Sequence, residues 1–184
     1  MRNLRELVLA LVLTLASASG AAAQSEAAAD PVVLTVYGDV AKPNRGALDE
    51  FADALLHGNS LSFEKAHAFT RAELAALPQQ AVTAEAEGWS APVKLAGPRL
   101  RDVLAAAGVT SQNLAFTALD GYTIEFEPGE MAAQAWILAI DADGKPLGIG
   151  GRGPAWLAFD TAGKKASADQ EARWIYAIFA IAAR

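Results

Sequence analysis

Gly97 to Val109 reads GPRLRDVLAAAGV, and Leu119 to Glu130 reads LDGYTIEFEPGE. The first stretch predicts a short helix. Pro98 suits a first helical turn, Leu100, Val103, Leu104 and Ala107 fall on one apolar face, and Gly108 offers a left-handed exit. The second predicts a strand entered through the Asp120-Gly121 turn. There Ile124 and Phe126 alternate with Thr123, Glu125 and Glu127, a period of two with one wet face.

Working outward, Thr70-Arg71-Ala72-Glu73 has the form of a capping box, with Phe69 and Leu74 at the two positions of a hydrophobic staple and Pro78 as the stop. Strands are predicted over PVVLTVYGD (31–39), LSFEKAHAF (61–69), QAVTAEA (80–86), VKLAG (93–97), LAFTAL (114–119) and QAWILAID (134–141). Asp143-Gly144 is a favoured hairpin turn, and GPAWLAFD (153–160) follows it as a further strand. GALDEFADALLHGN (46–59) predicts a helix, with Leu48, Phe51, Ala52, Leu55 and Leu56 on its apolar face and Gly58 as its stop. The terminal RWIYAIFAIAA (173–183) is continuously apolar, which fits a buried strand or a buried helix equally. The sum is an α+β domain dominated by sheet.

Arg2 and Arg5, the apolar run Leu7 to Leu15 and Ala21-Ala22-Ala23 have the pattern of a signal peptide over 1–23, with 24–31 as a flexible lead-in and one domain over 32–184. The expected location is the periplasm. About 160 residues remain, the size of one domain. Removing Arg2, Arg5 and Glu6, a net of +1, takes the formal charge from −6 to −7. An acidic chain without a basic stripe is a poor partner for nucleic acid or anionic lipid. The 184 residues contain no cysteine, which excludes thiolate nucleophiles, iron–sulfur clusters and cysteine zinc sites.

The two histidines, His57 and His67, lie in no ligand pattern and are expected to serve structure; no metal ligands and no catalytic residues are predicted. The run Gly148-Ile149-Gly150-Gly151-Arg152-Gly153 precedes a strand, whereas dinucleotide and phosphate loops precede a helix. Arg152 is therefore read either as a contact for a planar or anionic ligand or as an exposed hairpin arginine. Trp89, in a polar loop beside Glu87, is suited to stacking on a flat heterocycle, or to packing over the sheet end. Tyr122 is placed for the same part, with Asp120 or Glu87 as acceptors for a ligand's amino groups. Trp136, Trp156 and Trp174 lie in apolar runs and are expected in the core.

The succession TRAELAALPQQAVTAEA, a tryptophan, GPRLRDVLAAAGV, LDGYTIEF, ILAIDADGKPL and GPAWLAFD resembles the molybdopterin-binding domain of the sulfite-oxidase type, the SUOX fold, in its short exported form. The likeness runs from about Val32 to Arg184. Enzymes of that type bind molybdenum through a cysteine after the strand matching AVTAEA, where this chain has Glu85-Ala86-Glu87-Gly88-Trp89. Counterparts of the family's phosphate-binding basic residues are also lacking, Arg152 apart. The resemblance therefore implies the fold and a pterin-shaped pocket without molybdenum, held by Glu87, Trp89, Asp120, Tyr122 and Arg152. It further implies a non-enzymatic role, with ligand occupancy signalled to the periplasmic domain of a membrane-bound sensor. The alternatives are a molybdopterin-dependent oxidoreductase, or redox subunit, lacking the cysteine, and a domain serving only as a protein-interaction surface.

Overall fold

The computed structural model describes residues 30–184, so the segment read as a signal peptide and most of the lead-in lie outside the described residues. The chain opens with β1 (Val32–Gly38), whose middle residues are buried, and then α1 (Ala54–Gly58). This helix is much shorter than the predicted 46–59. The Asp49 carboxylate accepts from the backbone N–H groups of Phe51 (3.0 Å) and Ala52 (2.7 Å), a local turn that competes with the helix. Only Leu56 of the expected apolar face is buried by α1, and Phe51 is 94% exposed. The left-handed exit also falls later than Gly58, at Ser60 (φ 59°).

β2 (Ala66–Thr70) leads into α2 (Arg71–Ala76) through the predicted capping box. Thr70 Oγ1 accepts from the Glu73 N–H and Glu73 Oε2 accepts from the Thr70 N–H, at 3.2 and 2.7 Å. Phe69 and Leu74 are both buried, as a staple requires. β3 (Gln79–Ala84) and β4 (Val93–Pro98) pair antiparallel, and α3 (Leu100–Ala107) ends on Gly108 at φ 72°. Leu100, Val103 and Ala107 are buried as expected, but Pro98 closes β4 instead of entering the helix, and Arg99 takes the N-cap.

β5 (Leu114–Ala118) and β6 (Thr123–Phe126) form the hairpin predicted from LDGYTIEF, with Ile124 and Phe126 inward. A short α4 (Pro128–Ala133) and β7 (Ile137–Ala139) follow. β8 (Asp141–Ala142) and β9 (Lys145–Pro146) turn on Asp143 (φ 49°) and Gly144 (φ 73°), the conformation of a type I′ hairpin. The chain ends in β10 (Trp156–Ala158), α5 (Ala168–Glu171) and β11 (Ile178–Ala183).

Three sheets result, in the orders β2-β1-β11-β5-β6, β3-β4-β8-β9 and β10-β7. β11 runs parallel to β1 and antiparallel to β5, and all six of its residues are buried. Its position explains the unbroken apolar sequence: a central strand with both faces covered has no wet side to alternate with. The second sheet meets β7 closely at Gly97, where a Cβ would stand 2.1 Å from the Leu138 carbonyl oxygen, so only glycine permits the approach. The architecture is a sheet-rich α+β domain.

Candidate functional site

A chain of aromatic side chains leads from the core to the site. Phe116, Phe126, Trp136, Phe159 and Trp174 follow one another edge to face, with ring centres 4.9–5.5 Å apart. Trp89 continues the series, 5.8 Å from Trp174 and 5.7 Å from Trp156. These last three rings, with Tyr122 and Tyr176, wall a cavity of about 510 Å³, a size suited to a small organic ligand.

Trp89 owes its position to the exit of β3. Beyond that strand, Ala86 is buried and bridges Ala166, the Glu85 carbonyl accepts from the Ala166 N–H (2.7 Å), and the Glu85 carboxylate pairs with Lys165 at 3.4 Å. The chain then turns through Gly88, and the Trp89 N–H donates to the Ala86 carbonyl at 3.2 Å. Trp89 is thereby half-buried against the core and a wall of the cavity at once, so the two sequence readings of this residue coexist.

Arg152 enters the cavity on the glycine loop. Gly151 and Gly153 both donate to the Gly148 carbonyl, and the Arg152 carbonyl accepts from the Ala177 N–H at 3.0 Å, which fixes the loop to the start of β11. At Gly153 a Cβ would lie 2.4 Å from the Leu147 carbonyl oxygen, so this close turn admits no side chain. The guanidinium centre sits 4.4 Å from the Trp156 ring centre, 4.9 Å from Tyr176 and 5.4 Å from Trp89. Among the described residues it has no carboxylate partner. A cation held by ring faces rather than by an anion keeps its N–H donors available. The glycine run is followed by β10, not by a helix, so it is not a phosphate loop of the dinucleotide kind.

Four of the five residues singled out in the sequence, Trp89, Asp120, Tyr122 and Arg152, line this one cavity. Asp120 is exposed, and its Oδ1 accepts from the Tyr122 backbone N–H (3.0 Å) in the turn before β6. Glu87 is not among the wall residues and is exposed. The carboxylate beside Trp89 is Glu171, whose Oε1 accepts from the indole N–H at 2.9 Å. Sequence reasoning missed Glu171 because it lies 82 positions away on α5. A signal for that helix was present: Ser167 and Gln170 form a capping box, S-x-x-Q, with both reciprocal bonds made.

Trp136, Trp156 and Trp174 are buried as predicted, but Trp156 and Trp174 also face the cavity. Trp156 donates its indole N–H to the Trp174 carbonyl and Trp136 to the Glu130 carbonyl, whereas the Trp174 indole N–H has no acceptor among the described residues. An unpaired buried donor costs about 1–3 kcal/mol.

The remaining acidic and basic candidates serve structure. Glu130 pairs with Arg173, whose guanidinium lies 5.0 Å over the Phe126 ring, and Glu125 pairs with Arg184. The His67 ring bonds the Lys42 carbonyl and packs 4.4 Å from Phe69. Among the described residues no group of three His, Cys, Asp or Glu side chains converges as metal ligands. The described residues supply no thiolate to a metal, and Glu85 is paired with Lys165.

No family model matches the chain, and no curated protein does. Among solved structures it is similar to the sulfane dehydrogenase SoxCD from Paracoccus pantotrophus, with a TM-score of 0.54 at 18% identity. The match covers 82% of this chain and 37% of that one, so this chain spans little more than a third of its length. The similarity is one of fold alone, and it supports a distant likeness to the SUOX-like fold.

Proposed function

We propose that the chain is an exported, non-enzymatic domain that binds a flat pterin-like ligand and signals its occupancy to the periplasmic domain of a membrane-bound sensor. The observation that carries this reading is the cavity. It offers the half-buried Trp89 indole for stacking, a guanidinium without a carboxylate partner among the described residues, and the carboxylates of Asp120 and Glu171, on a fold whose metal-binding thiolate is missing. Trp89 stacks on the ring, Arg152 meets an anionic or polar tail, and Asp120 or Glu171 receives the amino edge. Glu171 takes the part first assigned to Glu87, because it lies in the cavity wall and Glu87 does not. Titration with reduced pterins will quench tryptophan fluorescence in the intact protein and not in Trp89→Ala. A flat calorimetric trace with every pterin contradicts the reading.

The second reading, a molybdopterin-dependent oxidoreductase or redox subunit, draws on the fold similarity to a dehydrogenase. Elemental analysis of protein isolated from its native host decides between them: stoichiometric molybdenum favours the oxidoreductase, and metal-free protein favours the binding domain.

A further inference from the structure

A strand at the rim of a sheet presents bare N–H and C=O groups, and proteins close such edges against other chains. On β2, Asn44 takes both backbone groups of Ala68, its Oδ1 accepting from the N–H (2.7 Å) and its Nδ2 donating to the carbonyl (2.8 Å), and Arg45 bridges Ala66. β6 is four residues long, and its Glu125 carbonyl accepts from Arg173 Nη1 at 3.3 Å. β9 consists of Lys145 and Pro146, a charge and a residue without an N–H. In the small sheet, the Leu157 N–H of β10 donates to the Ile175 carbonyl, and Ile137 of β7 bridges Arg99.

β3 has no such closure among the described residues. It is the outer strand of its sheet, six residues long, and pairs with β4 over its whole length without a bulge. Its sequence QQAVTA holds no charge and no proline. In β4, the Lys94 and Ala96 carbonyls accept from the Asp143 and Ile140 N–H groups, so these two residues bond toward β8. The alternate residues Val93, Leu95 and Gly97 then bond toward Ala84, Val82 and Gln80. The backbone groups of Ala81 and Thr83 therefore point outward, and they find no partner among the described residues. The Gln79 carbonyl is already taken by the Gln80 side chain at 2.8 Å.

We propose that β3 is a dimerisation edge, on which a second copy of this chain adds its own β3 antiparallel about a two-fold axis at Val82. The open groups set the register. Ala81 faces Thr83 of the second copy and Thr83 faces its Ala81, so all the open N–H and C=O groups pair. Val82 meets its counterpart in the closer, non-hydrogen-bonded position, a β-branched pair. A copy is the occupant this strand fits, because the strand matches itself in that register and brings no charge to repel itself, in a chain of formal charge −6. The carboxylate that follows it, Glu85, is paired with Lys165. The two-fold contact consumes the open edge of both copies and leaves closed edges outside, so assembly stops at two. Neither Ala81 nor Thr83 lines the cavity, so the dimer is independent of what the cavity binds.

Sedimentation equilibrium of the purified protein tests this, with two double variants at exposed positions. The native protein is expected at twice the monomer mass. Ala81→Lys with Thr83→Lys sets like charges opposite one another across the axis, and so does Ala81→Glu with Thr83→Glu. Each variant alone is expected to be monomeric with unchanged far-UV circular dichroism. Mixed in equal amounts, the two are expected to recover the dimer through opposite charges, which misfolded chains would not do. A native protein that stays monomeric up to its solubility limit overturns the inference. A dimer that both charge variants leave intact does so as well, and so does a mixture that remains monomeric.

Discussion

Arg152 shows how the backbone can fix the place of a single side chain. Its side chain has no anionic partner among the described residues and rests against three rings, while its carbonyl is tied to Ala177. Arg152→Ala should lower affinity for a flat anionic ligand about tenfold and cost less than about 1 kcal/mol of stability, since an exposed cation–π contact is worth roughly 0.5–1 kcal/mol. Paired titration and melting measurements check both. Gly153→Ala should act differently, because its Cβ meets backbone: we expect a loss of about 1–3 kcal/mol from overpacking, together with weaker binding as the loop shifts.

Asp53 supplies a pH signature at the same scale. Burial works against its ionisation, but the bond from Arg45 and the Asp49 N–H outweigh it and hold the carboxyl below its ordinary value of 3.8. Its contribution to stability is therefore complete above pH 3.8 and is lost as the pH falls through the lower folded value. Asp53→Asn should flatten the acid side of the stability profile below pH 3.8 and leave its shape at neutral pH unchanged, as chemical denaturation across that range will show. Trp89 and Arg152 were legible in the sequence because a tryptophan in a polar loop and an arginine among glycines are both out of place. Glu171 was not, since it violates no local expectation. Its bond to the Trp89 indole forms only when α5 folds back against the exit of β3.

At the scale of elements, local signals that satisfy backbone groups were the most readable. The Thr70 capping box, the Gly108 exit and the Asp143-Gly144 turn all form as read. The helix expected over 46–59 failed because apolar spacing was weighed without the Asp49 carboxylate, which captures two N–H groups in a turn. The two capping boxes should part stability from binding. Thr70→Ala should destabilise the domain by about 1 kcal/mol without changing ligand affinity. Ser167→Ala should loosen the four-residue α5 and with it Glu171, weakening binding severalfold while the melting temperature changes little. Equal losses of binding in the two variants would contradict this division.

For the molecule as a whole, the order of sheets places β11 at the centre, and no periodicity in RWIYAIFAIAA distinguishes that strand from a buried helix. Only the pairing with β1 and β5 decides it. Ile181 is fully buried there, so Ile181→Ala should cost about 2–5 kcal/mol in denaturant melts, whereas Phe51→Ser, at a residue 94% exposed, should stay within about 0.5 kcal/mol. The aromatic chain from Phe116 to Trp89 makes the cavity wall an extension of that core. The same packing that stabilises the domain fixes the rings of the cavity wall. A crystal structure of the protein saturated with pterin tests this most directly. The account predicts the ring lying in the cavity against Trp89, with its amino edge at Asp120 or Glu171. A ring bound elsewhere, or a cavity holding only water at saturating pterin, would contradict it.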